Sequence, residues 1–260
     1  MKSDWEPMAM TFVGYKETGT FIVASVEEIQ ALLDDQTVKT STMRNSPFAK
    51  QFEQELVAWA ESLVLYQDVL DCWLQVQSTW LYLEPIFTSE DIMAQMPTEG
   101  RKFRTVDRSW RDIMVAARIN PAVRAVMKLP NLLGRLREAH AALEEIQHGL
   151  NEYLEKKRLH FPRFFFLSND ELLEILSQTR NIAAVQPHLR KCFENMASLE
   201  FGASDTKDAM PIVAMFSNEG ERVPFVAPFV ASGPAEAWLA LLEQEMKKAM
   251  REVVRQGLTT

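Results

Sequence analysis

The chain has 260 residues, nearly half of them apolar (47%), so it has enough apolar side chain to bury a substantial core. Its formal net charge of -8 and pI near 5.2 argue against non-specific binding to DNA or RNA, where clustered Lys and Arg must neutralise phosphates. The same charge disfavours an anionic membrane surface as a partner.

In chain order, the run Gly19-Thr20-Phe21-Ile22-Val23-Ala24 is β-prone, and Ser25 with Glu28 matches a capping box that predicts a helix from about residue 26 to 33. Ser46 and Pro47 read as an N-cap and a first-turn proline. After them Phe48, Phe52, Leu56, Trp59, Leu63, Tyr66, Leu70, Trp73, Gln77 and Trp80 recur at alternating spacings of four and three. That pattern predicts a helix of about 36 residues, roughly 54 Å long, ending at Pro85. Shorter helices are expected over residues 89–96 and 107–119, separated by breaks at Pro97-Thr98-Glu99-Gly100 and Asn120-Pro121. Heptad-like spacing of Leu132, Leu136, Ala139, Leu143, Ile146, Leu150 and Tyr153 predicts a second long helix to about residue 157. An extended aromatic segment from Phe161 follows, with Pro162 stopping the helix before it. Ser168 and Glu171 form a second capping box, and Pro187 is expected to open a helix ending near residue 199. Residues 212–216 and 221–225 flank Ser217-Asn218-Glu219-Gly220 as a hairpin, and a last helix is expected over residues 234–255. The expected class is mainly α, an elongated rod of stacked helical bundles with a small β hairpin. Its segments divide at residues 1–45, 46–130, 131–204 and 205–260.

No catalytic set emerges from the sequence. None of the nine glycines precedes a lysine, so the loop that cradles nucleotide phosphates is missing. His140, Glu144 and His148 drift along one helical face and read as solvated rather than as metal ligands. Trp59, Tyr66, Trp73 and Trp80 read as core at heptad spacing. Cys72 and Cys192 have apolar neighbours and read as buried thiols of a reduced compartment. No stretch approaches a membrane span, and the start Met1-Lys2-Ser3-Asp4-Trp5 lacks an apolar signal core. Phe164, Phe165 and Phe166 are harder to place in a core, because three consecutive side chains of an extended segment do not share one face.

Several motifs carry a family resemblance. They are Leu32-Leu33-Asp34-Asp35 with Lys39-Thr40 and Met43-Arg44, Ser46-Pro47-Phe48, and Trp80-Leu81-Tyr82-Leu83-Glu84-Pro85-Ile86-Phe87 followed by Asp91-Ile92 and Gln95-Met96-Pro97. Further along stand the run from Phe161 to Ser177, Ala184-Val185-Gln186-Pro187-His188-Leu189, and Cys192-Phe193-Glu194. In this order they resemble the linker region of dynein heavy chains, with the wording of residues 80–97 closest to the axonemal kind. Ile182 departs from the pattern, where the family favours proline.

The resemblance implies a mechanical lever lying across the AAA+ ring of the same heavy chain, bending as nucleotide turns over. Microtubules would be engaged only through the parent motor, in the cytoplasm and in the axoneme of a cilium or flagellum. ATP and Mg would belong to that ring, with no cofactor, metal, catalytic residue, nucleic acid or membrane partner in this segment. Phe161, Pro162, Phe164, Phe165, Phe166, Ser168, Asn169 and Asp170 are the expected hinge or docking surface. A stand-alone helical scaffold binding partner helices is the alternative.

Overall fold

The computed structural model describes residues 1–177, 182–203 and 210–259. Strands β1 (Phe12–Tyr15) and β2 (Thr20–Val23) precede α1 (Glu27–Arg44), α2 (Glu53–Thr88), α3 (Glu90–Gln95), α4 (Pro97–Ile119) and α5 (Val123–Val126). Next come α6 (Leu132–His160), a 3-10 helix (Pro162–Phe166), α7 (Asn169–Ser177) and α8 (Ile182–Cys192). Strands β3 (Met196–Phe201), β4 (Pro211–Ser217) and β5 (Arg222–Val230) and the helix α9 (Ala235–Thr259) complete the chain. The class is mainly α, and it divides into two compact units: residues 1–85 with 98–147, and residues 86–97 with 148–260.

In the first unit the aromatic stripe of α2 is core. Trp59, Tyr66, Trp73 and Trp80 are buried, and Trp110 of α4 sits between Trp73 and Trp80, with ring centroids at 6.2 and 5.9 Å. Trp5 meets Tyr66 edge-on at 5.2 Å. Gln77 of α2 ties the β1–β2 hairpin to that helix: it accepts from the Val23 amide at 2.8 Å and donates back to its carbonyl at 2.9 Å. A buried amide making both bonds leaves neither backbone group unpaired, which fixes the strand against the helix. The Trp80 indole donates to Asp107 at 3.1 Å, and Arg111 pairs with that carboxylate at 2.8 Å while donating to the Thr18 carbonyl at 2.9 Å.

The second unit packs helices around a three-stranded antiparallel meander of order β3-β4-β5, with α8 against β3 and α9 against β5. Gly220 takes φ +85° in the β4–β5 turn, a backbone state that an L side chain rarely adopts, as expected of a hairpin glycine. Cys72 and Cys192 are both free and buried, and burial pushes the Cys192 thiol up to about 11.

Several expectations are corrected. The helix foreseen from residue 26 to 33 runs to Arg44, and Ser25 makes no cap: its hydroxyl bonds the Glu27 carboxylate instead. Residues 47–52 form a 3-10 turn before α2, with the Ser46 hydroxyl accepting from the Phe48 amide at 3.4 Å. Pro85 lies inside α2 rather than ending it. Pro97 opens α4 instead of breaking the chain, since a first-turn proline lacks only an amide that has no helical partner anyway. Pro187 sits within α8, which stops at Cys192, and residues 196–201 are strand rather than helix.

Candidate docking surface

The aromatic segment is helical, not extended. The α6 helix closes with the Phe161 amide on the Lys157 carbonyl at 3.0 Å. Phe161 then turns to φ -129°, ψ 94°, because the following proline disfavours helical geometry, and Pro162 starts a 3-10 helix at a position needing no amide. With three residues per turn, side chains at i and i+3 eclipse. Phe161, Phe164 and Leu167 therefore share the inward face, at 2%, 0% and 4% exposure, while Phe165 and Phe166 are left outside at 54% and 71%. Leu159, in the last turn of α6, is exposed at 71%. An extended strand would have placed Phe164 and Phe166 together; period three separates them.

The junction is braced on all its inward contacts. Phe161 meets Phe164 edge-on at 5.0 Å and Phe193 at 6.3 Å. Buried Arg158 donates to the Leu167 carbonyl at 3.2 Å, to Asn169 Oδ1 at 2.8 Å and to Glu155 at 3.0 Å. One guanidinium thus clamps the end of α6, the end of the 3-10 turn and the start of α7. Arg163 donates to the Cys192 carbonyl at 3.0 Å, reaches Glu243 at 3.4 Å and lies 4.8 Å over the Phe193 ring. Lys247 first, and then Arg163, hold the Glu243 carboxyl below its usual range despite partial desolvation.

The capping box forms in both directions: Glu171 accepts from the Ser168 amide at 2.9 Å, and the Ser168 hydroxyl accepts from the Glu171 amide at 3.3 Å. Lys191 pairs with the same Glu171, and together with the Ser168 amide it lowers that carboxyl to about 2. Asp170 is exposed on the first turn of α7, and Asn169 is half-buried by its bond to Arg158. Farther back on α6, Lys157 pairs with Glu236 of α9, and the Tyr153 hydroxyl bonds Gln95 of α3. Burial foremost, then the Glu236 charge, pushes the Tyr153 phenol above its ordinary range.

All eight residues expected at the site therefore lie between the end of α6 and the first turn of α7, but not in one role. Phe165 and Phe166 are presented; Phe161, Pro162, Phe164, Ser168 and Asn169 hold the turn that presents them, and Asp170 is exposed on α7 without a part in either. Sequence reasoning missed the braces Arg158 and Arg163 and the exposed Leu159. The partners of Arg163 lie 29 and 80 residues away, and the partners of Arg158 across the 3-10 turn lie 9 and 11 residues on, so no helical spacing marks either brace. On α6, His140 lies 3.6 Å from Glu144 and His148 lies 3.6 Å from Glu152. Among the described residues no three His, Cys, Asp or Glu side chains cluster as metal ligands, and no helix is long and apolar enough to cross a membrane.

Residues 1–257 match the family described as dynein heavy chain, N-terminal region 2. The chain is 53% identical over 257 residues to dynein axonemal heavy chain 12 of Homo sapiens, covering 98% of this chain and 8% of that protein. It is 52% identical over 261 residues to dynein axonemal heavy chain 3 of Mus musculus, covering 99% and 6%. Against dynein axonemal heavy chain 1 of Mus musculus the identity is 45% over 258 residues, covering 99% and 6%. The chain thus spans less than a tenth of the length of these relatives.

Proposed function

Because this chain belongs to the dynein heavy chain family through its N-terminal region 2, we propose that it is a linker segment, the mechanical lever of an axonemal microtubule motor. In this reading the nucleotide-driven change of the AAA+ ring on the same heavy chain moves the lever as a power stroke. Microtubules are met only through the parent motor, and the site of action is the axoneme of a cilium or flagellum. The family match across residues 1–257 carries the proposal. Force transmission also needs stiff elements, and the continuous helices α2 and α6, of 36 and 29 residues, are of that kind.

The Phe165-Phe166 pair, with Leu159, serves here as a docking surface for the ring rather than as a hinge. Support comes from the bracing: bending at residues 161–169 would break the Arg158 bonds to Leu167 and Asn169 and part Phe161 from Phe193. A hinge concentrates change where few contacts are lost, and this junction holds many. The segment itself hydrolyses nothing and holds no nucleotide, so calorimetry with Mg-ATP should give no saturable heat.

The deciding experiment mixes a purified ring fragment with the chain in different nucleotide states. Association that changes with nucleotide and falls in the Phe165→Ser/Phe166→Ser variant is expected. Nucleotide-independent association would favour a helical scaffold instead.

A further inference from the structure

A second surface, independent of the lever reading, lies in the second unit where β4, β5 and α9 meet the turn after α8. It is a groove of about 310 Å³, with room for one or two large apolar side chains. Four methionines line it: Met196, Met215, Met246 and Met250, the last 48% exposed. Methionine is unbranched and polarisable, so a methionine-lined surface adapts to the side chains of a docked helix. Phe193, Phe216 and Val223 add to the apolar lining.

The charge of the rim selects a partner. Among the described residues Arg163 is the one cation lining the groove, and it is committed to the Cys192 carbonyl and to Glu243. Glu194 and Glu221, also on the lining, are exposed and make no ion pair among the described residues. The rim is therefore net negative around an apolar floor. An added strand on β5 is disfavoured, because that edge of the sheet carries Pro224 and Pro228, which offer no amide to a neighbour, and the other edge, β3, is packed by α8.

We infer that this groove binds an amphipathic helix of a partner protein, one that inserts large apolar side chains between the methionines and sets lysine or arginine against Glu194 and Glu221. The test uses the whole chain labelled with ¹³C at its methionine methyls. It is titrated with a synthetic peptide helix bearing leucines at i, i+3, i+4 and i+7 flanked by lysines, and with a counterpart in which every lysine is glutamate.

The lysine peptide is expected to shift Met215, Met246 and Met250 and to leave the methionines of the first unit unmoved. Charge reversal by Glu194→Lys and by Glu221→Lys should weaken binding about threefold each, the size of an exposed ion pair, with the effect fading as salt rises. Both positions are exposed, and an unchanged methyl spectrum of the free variants shows that they still fold. Equal binding of the glutamate peptide, no binding of either, or shifts confined to other methionines overturns the inference. Concentration-dependent shifts of the groove methionines without peptide would also overturn it, since the occupant would then be a second copy of the chain.

Discussion

Replacing Arg158 tests whether the junction after α6 is a fixed piece. In Arg158→Met the aliphatic stem is preserved, while the Leu167 carbonyl and Asn169 Oδ1 lose their donor. A hydrogen bond to a charged group contributes roughly 1.5–3 kcal/mol, and a buried acceptor left unpaired keeps its full desolvation cost. The third contact, to Glu155, is largely solvated and adds little. Two lost bonds at the lower figure make a destabilisation of about 3 kcal/mol in the second unit. With a urea slope of roughly 2 kcal/mol/M, the midpoint of that unit should fall by about 1.5 M at an unchanged slope. Arg158→Lys retains the charge but not the planar fork that reaches two acceptors at once, so it should recover only about half of the loss. Urea unfolding read by circular dichroism supplies the midpoints, and amide exchange at residues 167–171 shows whether the loss is local. A midpoint shift under about 0.3 M for Arg158→Met, with exchange unaltered, would refute the bracing and return these residues to the role of hinge.

The double variant Phe165→Ser/Phe166→Ser should change stability by no more than about 0.5 kcal/mol, because both rings are exposed; chemical denaturation checks it, and a larger loss would mean that they belong to the core. Trp110→Ala, which opens the space between Trp73 and Trp80, should destabilise the first unit by about 3–5 kcal/mol in the same assay. The Glu171 carboxyl should titrate near 2 by carbon NMR, and Lys191→Ala should bring it back toward 4.5. Since the folded value is depressed, the linked stability is present above the ordinary carboxylate range and is lost as pH falls from about 4.5 toward 2. A folded-state midpoint near 4.5 in the parent chain would refute the pairing with Lys191.

What the sequence makes legible here is what depends on neighbours three or four residues apart. The heptad spacing of α2 and α6 predicts both long helices, the tryptophan stripe predicts the core, and Ser168 with Glu171 predicts the start of α7. Prolines mislead because their local meaning is conditional. Pro85 interrupts the hydrogen bonding of α2, yet Leu83 and Phe87 on either side are buried, and the burial of side chains worth about 1.5–3 kcal/mol each outweighs the roughly 3 kcal/mol that an interior proline costs. Strand β3 is hidden for another reason. Two register shifts against β4, between Met196 and Ser198 and between Glu200 and Phe201, leave Met196 and Leu199 buried three apart, a spacing that imitates a helix.

The aromatic turn combines both kinds of information. Its composition announces that some ring must face outward, but which ring depends on whether the backbone repeats every two residues or every three. Pro162 fits the start of a 3-10 turn or an extended segment, so the choice falls to contacts made across the turn and beyond it. Arg158 on Leu167 and Asn169, and Phe161 against Phe193, accompany the tighter repeat, which shortens the segment between α6 and α7. The same contacts that hide Phe164 expose Phe165 and Phe166, so the bracing and the display are one structural fact. If the proposed docking role holds, a mutation that frees the backbone at this turn should weaken docking and stability together, whereas one that trims only the displayed rings should weaken docking alone.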